Sequence, residues 1–99
     1  MTPGSQAVFR QAVEAGYVNT LLKAGAVVTS ATCGACQGGH MGVIGPNEVC
    51  ITASTRNFKG RMGDPSASVY MASPATVAAS AITGVITHPA KFLPMEKSA

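Results

Sequence analysis

The chain has 99 residues, of which 46% are apolar and 11% are charged, and it carries a net charge of +3 and three cysteines. This length suits one small domain with a modest core and excludes a second core of similar size. The basic residues are too scattered for a nucleic-acid-binding surface, and the sequence holds no run of about 20 apolar residues that would predict a membrane-spanning helix.

The first part of the chain predicts two short helices and a strand. Thr2 and Ser5 are both suitable N-caps for the first helix, and Gly16 interrupts the helical pattern that follows. A second helix then runs to Gly25, which favours a left-handed end cap. Residues 26–29 have a β-rich composition and predict a short strand that leads directly into a cysteine-bearing loop.

The second part of the chain predicts further strands and one more helix. Residues 48–52 predict an apolar strand, residues 68–72 predict a third short strand, and residues 85–87 predict a last short one. Ser73, with a proline directly after it, predicts the start of a helix that ends at Gly84.

Together these elements predict the α/β fold class. We expect a single three-layer-like α/β/α fragment with a short sheet of three or four strands. This unit is predicted to cover residues 1–88, and the prolines at 89 and 94 frame a loose C-terminal tail over residues 89–99.

Cys33 and Cys36 form a Cys-x-x-Cys motif between glycines, on the loop after the first predicted strand. This spacing is compatible with a redox pair, two zinc ligands or two ligands of an iron–sulfur cluster, and it favours a metal. His40 and Cys50 would complete a set of four zinc ligands, although a buried core thiol is the simpler interpretation of Cys50. Because close-set, odd-numbered cysteines fit a reducing compartment, we expect a cytoplasmic protein.

Arg56, Lys59 and Arg61 are the close grouping of basic residues, and they lie on a glycine-bearing loop after the strand 48–52. Guanidinium groups bind carboxylates with two parallel hydrogen bonds, which a lysine cannot reproduce. Two arginines beside a metal-binding loop therefore predict a small substrate with several carboxylates, whereas Lys59 is expected to face solvent.

Three motifs follow one another along the chain. They are Thr-Cys-Gly-Ala-Cys-Gln-Gly-Gly-His-Met-Gly at 32–42, Arg-Asn-Phe-Lys-Gly-Arg-Met-Gly at 56–63 and Ala-Ser-Pro-Ala-Thr at 72–76. In this order they resemble the aconitase superfamily, and most closely the C-terminal part of 3-isopropylmalate dehydratase large subunits. The resemblance extends over nearly the whole chain.

The resemblance implies that residues 1–88 are part of an aconitase-like iron–sulfur domain of a lyase. Members hold a 4Fe-4S cluster through three cysteines, and its open iron acts as a Lewis acid in a hydro-lyase reaction. By resemblance, Cys33 and Cys36 match two cluster ligands, and Arg56 and Arg61 match arginines that bind substrate carboxylates. The implied reaction interconverts 2- and 3-isopropylmalate by dehydration and rehydration, in leucine biosynthesis.

Several family residues have no counterpart here, because the family's third cluster cysteine lies upstream of the motif and its catalytic serine lies on a separate small subunit. We therefore expect a truncated, split or excised large subunit that is inactive alone. Its expected partners are the missing N-terminal part of the large subunit, the small swivelling-domain subunit and a di- or tricarboxylate substrate. An aconitase, homoaconitase or citramalate-type piece, or a small zinc-binding or interaction module, is the alternative.

Overall fold

The structure is a computed structural model that describes residues 1–36, 38–39 and 42–92. Within these residues it contains three α-helices, two β-strands and one short 3-10 helix. In chain order these are α1 (Gln6–Glu14), α2 (Tyr17–Lys23), β1 (Val49–Thr52), β2 (Ser68–Met71), α3 (Pro74–Thr83) and the 3-10 helix (Pro89–Lys91).

The helix ends follow the capping residues in the sequence. The Ser5 hydroxyl accepts a hydrogen bond from the Val8 amide at 3.1 Å, and the Ser73 hydroxyl accepts one from the Thr76 amide at 3.2 Å. Each serine thereby satisfies one of the amides that has no partner inside its helix. Gly84 ends α3 with a φ of 82°, a conformation that glycine adopts without steric cost.

The predicted strands at residues 26–29 and 85–87 are not formed. The first segment contacts the start of the chain, where the Thr29 amide donates to the Met1 carbonyl at 3.0 Å. The second packs back on α3, where the Thr87 amide donates to the Ser80 hydroxyl at 3.0 Å. The Thr29 amide is satisfied by the Met1 carbonyl and the Thr87 amide by the Ser80 hydroxyl, so neither segment forms a strand ladder.

The sheet in the described residues has two strands rather than the three or four that the sequence predicted. β1 and β2 pair in parallel, with Val49 opposite Ser68 and Thr52 opposite Met71. Parallel neighbours need a long crossover connection, and here it is the loop of residues 53–67, which carries Arg56 and Arg61. The fold therefore presents both arginines beyond the carboxyl end of β1.

The hydrophobic core of the described residues is small. Its buried hydrophobic side chains are Met62, which is 5% exposed, and Ala79, which is 3% exposed. Many large apolar side chains remain open to solvent instead, including Val49, Ile82 and Val85 at 67–70% exposure. Among the described helices, none is long and apolar enough to cross a membrane.

The predicted C-terminal tail lies partly outside the described residues. Its first residues form the 3-10 helix, in which Pro89 is buried. Residues 93–99 are outside the description, so a loose tail from residue 89 onward stays a prediction.

Candidate functional site

Two loops meet to form the candidate site. The cysteine loop is residues 32–39, of which 37 is not described, and the arginine loop is residues 54–64. A backbone hydrogen bond joins the two loops, in which the Gly38 amide donates to the Arg61 carbonyl at 2.7 Å. Beyond the cysteine loop, the Ile44 amide donates to the Met62 carbonyl at 2.8 Å. The Asp64 amide returns a bond to the Ile44 carbonyl at 2.9 Å, so the chain after the cysteine loop runs beside the arginine loop.

The close approach of the two loops depends on Gly63. Its φ of 141° lies in a region that side chains rarely adopt, and a Cβ there would lie 2.8 Å from the Ile44 amide nitrogen. Met62, the residue before it, is buried at this junction. Gly63 thus lets the backbones touch while Met62 fills the space beside them.

The cysteine loop itself turns at Gly34. The Gly34 amide donates to the Thr32 hydroxyl at 3.0 Å, and Gly34 has a φ of 65°. A Cβ at this position would lie 2.8 Å from the Thr2 hydroxyl oxygen, so the start of the chain packs against the turn. Gly34, inside the Cys-x-x-Cys motif, therefore permits both the left-handed backbone conformation and the close contact with Thr2.

The side chain of Arg61 contacts Cys36 at two points. Its Nε donates to the Cys36 carbonyl at 3.0 Å, and its Nη2 donates to the Cys36 Sγ at 3.1 Å. The guanidinium also lies over the Phe58 ring, with its Cζ 5.4 Å from the ring centroid. One of the two predicted arginines is thus in direct contact with one of the two predicted metal-binding cysteines.

The two cysteines of the motif have shifted pKa values in opposite directions. A hydrogen bond from Cys33, together with hydrogen bonds from Arg61 and Ser54, lowers the pKa of the Cys36 thiol to about 7. The same bond between the cysteines, helped by desolvation, raises the pKa of Cys33. Cys36 is therefore the readily formed thiolate, which is the form that binds metals and reacts as a nucleophile.

The remaining predicted residues lie apart from this contact. Arg56 is exposed, and within the described part of the chain its guanidinium makes no hydrogen bond or ion pair. Cys50 lies in β1, where burial raises the pKa of its thiol. His40 lies outside the described residues, and among those that are described no group of three or more His, Cys, Asp or Glu could hold a metal ion.

Sequence reasoning missed one residue of the site, Ser54. It lies two residues after the end of β1, its amide donates to the Thr52 hydroxyl at 3.1 Å, and its side chain helps to lower the pKa of Cys36. A hydroxyl at the start of the loop that follows this strand was the available signal. A cleft lined by residues 57–60 and 62–64 of the arginine loop, together with Ile44, Ala67 and Val69, contains neither cysteine of the motif.

Known proteins match the chain along most of its length. The model of the aconitase family (aconitate hydratase) matches residues 1–84. The chain is 62% identical over 93 residues to the 3-isopropylmalate dehydratase large subunit of Mycolicibacterium smegmatis, which covers 94% of this chain and 22% of that protein.

Proteins of the same name from other organisms are also similar to this chain. The large subunit from Pyrobaculum calidifontis is 59% identical over 92% of this chain, and the one from Aliarcobacter butzleri is 56% identical over 90% of it. The chain spans 22% and 21% of the lengths of these two relatives.

Proposed function

The chain belongs to the aconitase family, and from this premise we propose that it is a piece of a hydro-lyase large subunit of the 3-isopropylmalate dehydratase type. In this role it supplies two cluster cysteines and two substrate arginines, and it does not catalyse alone. The observation that carries the proposal is the contact of Arg61 with Cys36, because it brings a cationic carboxylate-binding group to a metal-binding sulfur.

The donor chemistry of the cysteine loop fits an iron–sulfur cluster. The side chains of Cys33 and Cys36 influence each other's pKa, which means that the two thiols are neighbours, and Cys36 forms a thiolate easily. These two residues would hold a 4Fe-4S cluster, and a third cysteine would come from outside this chain. When bound, the cluster supplies a Lewis acid for the substrate's hydroxyl and carboxylate groups.

The arginines are proposed to bind and orient the carboxylates of a di- or tricarboxylate substrate. Arg56 has a solvent-exposed guanidinium, and Arg61 retains donors that Cys36 does not use. A substrate whose carboxylates are bound by Arg56 and Arg61 would present its hydroxyl-bearing carbon toward the cysteine loop. Among isopropylmalate, citrate, homocitrate and citramalate types of substrate, the names of the relatives favour isopropylmalate.

Two partners are part of the proposal. The relatives are named large subunits, so the first partner is the rest of such a subunit and the second is a small subunit that carries the catalytic serine. The small core and the exposed apolar side chains of β1 and α3 support the first partner, because exposed apolar patches mark interaction surfaces. The same proposal includes a domain that ends at residue 88 and a cytoplasmic location of the protein.

Anaerobic reconstitution tests the proposal. The chain is incubated with ferrous iron and sulfide, first alone and then with the remaining part of the Mycolicibacterium smegmatis large subunit and its small subunit. We expect visible cluster absorption and isopropylmalate dehydration only in the complete mixture, and neither with a Cys36→Ala chain. A mixture that stays colourless and inactive with the unchanged chain would refute the proposal.

A further inference from the structure

We propose that Arg61 is a positioning residue that holds the cysteine loop in its metal-binding conformation before a substrate arrives. The inference rests on the proposed function for the identity of the ligand loop. It goes beyond it, because carboxylate binding by Arg61 does not require any contact with a cysteine.

The two contacts fix different properties of Cys36. The bond from Nε to the Cys36 carbonyl holds the backbone turn, and the bond from Nη2 to Sγ sets the direction of the sulfur. A planar guanidinium presents these donors in a rigid fork, whereas an ammonium group supplies one point of charge. One side chain therefore restrains both the position and the orientation of the ligand atom.

Arg61 can act as a clamp because its own position is fixed. Its amide donates to the Phe58 carbonyl at 3.0 Å, and its carbonyl accepts from the Gly38 amide at 2.7 Å. Its guanidinium covers the Phe58 ring, and the next residue, Met62, is buried. Backbone and side chain of Arg61 thus hold the cysteine loop on both sides of the undescribed residue 37.

The clamp leaves room for a second task. An arginine side chain carries five N–H donors, and the two bonds to Cys36 leave about three of them free. A carboxylate can bind these remaining donors without displacing Cys36. The same guanidinium would then link the ligand cysteine to the substrate.

Arg56 provides a matched control in the same loop. It has the same charge and chemistry as Arg61, yet its exposed guanidinium has no partner within the described residues. If the general positive charge of the loop organised the cysteines, changing either arginine would have the same effect. If the fork geometry does so, the effect is confined to Arg61.

The test is an anaerobic titration of the reduced, full 99-residue chain with Co²⁺, followed through the thiolate-to-cobalt absorption. Arg61→Lys and Arg61→Gln are compared with Arg56→Lys and Arg56→Gln. We expect about 10-fold weaker Co²⁺ binding for both Arg61 variants, a loss typical of removing a group that orients a metal ligand. The Arg56 variants are expected to match the unchanged chain. Full binding by Arg61→Lys would overturn the proposal, since charge alone would then suffice.

A second readout does not depend on metal. Amide hydrogen exchange at Gly38 reports the contact between the loops, and we expect faster exchange in Arg61→Lys with unchanged protection in α3. If the unchanged chain fails to bind Co²⁺, the proposed metal site is wrong, and the Gly38 exchange alone decides the positioning role. Equal Gly38 exchange in the variant and the unchanged chain overturns the inference, and so does lost protection throughout α3, which would mean that Arg61 supports the whole fold.

Discussion

Cys33 and Cys36 are unequal partners, because the interaction between their side chains shifts the two thiol pKa values in opposite directions. This interaction is the largest cause of the lowered pKa of Cys36 and also of the raised pKa of Cys33. The pair thus holds one proton on Cys33 while Cys36 ionises. Such asymmetry fits a loop whose second cysteine engages a metal first.

The asymmetry predicts the pH dependence of alkylation. The pKa of Cys36 is about 7, so its thiolate is present above that pH and is lost as the pH falls below it. The alkylation rate of Cys36 by iodoacetamide, followed by mass spectrometry over a pH series, should therefore rise with a midpoint near 7. Cys33→Ala removes the largest cause of the lowered Cys36 pKa and should move the midpoint to higher pH. Cys50, whose pKa burial raises, is the internal control and should react only at more alkaline pH.

Gly63→Ala should destabilise the chain. The new Cβ would meet the Ile44 amide in a backbone conformation that disfavours side chains, and it would loosen the packing of Met62. We expect a loss of about 1–3 kcal/mol in the free energy of unfolding, measured by urea titration with circular dichroism. Gly4→Ala is the control, because a Cβ added at Gly4 would have no atom within 4 Å. Equal urea midpoints for the two variants would contradict the role given to Gly63.

Cys50 should be dispensable for metal binding. Its Sγ lies 3.7 Å from the Ile51 carbonyl, and burial keeps its thiol protonated. In an anaerobic Co²⁺ titration, Cys50→Ala should bind like the unchanged chain, whereas Cys36→Ala should lose binding. A large loss with Cys50→Ala, and one tightly bound zinc per chain, would instead favour the zinc-binding module.

Ile82→Ser should separate folding from association. The Ile82 side chain is 67% exposed on α3, so its replacement should change the unfolding free energy of the isolated chain by no more than about 0.5 kcal/mol. If this face packs against the rest of a large subunit, the same change should weaken binding to that part, as measured by calorimetry. Unchanged affinity would place the partner on another surface.

The helix ends and the two central strands could be read from the sequence, since they depend on local chemistry. Ser5, Ser73 and Gly84 act through capping geometry within a few residues. β1 is rich in β-branched residues, and β2 contains Val69 and Tyr70, which favour strands. The prediction of strands at residues 26–29 and 85–87 was wrong, because the Met1 carbonyl and the Ser80 hydroxyl accept hydrogen bonds from amides of these segments. Such competition is not visible in local composition.

The sequence by itself determined the family, through its motifs, and the candidate residues, because thiols and guanidiniums carry their chemistry wherever they lie. Their placement was decided only by tertiary structure. The crossover between β1 and β2 and the close approach at Gly63 bring Arg61 to Cys36, while Arg56 stays in solvent. Two arginines that look alike in sequence thereby receive different surroundings, since hydrogen bonding depends on distances that spacing along the chain does not fix.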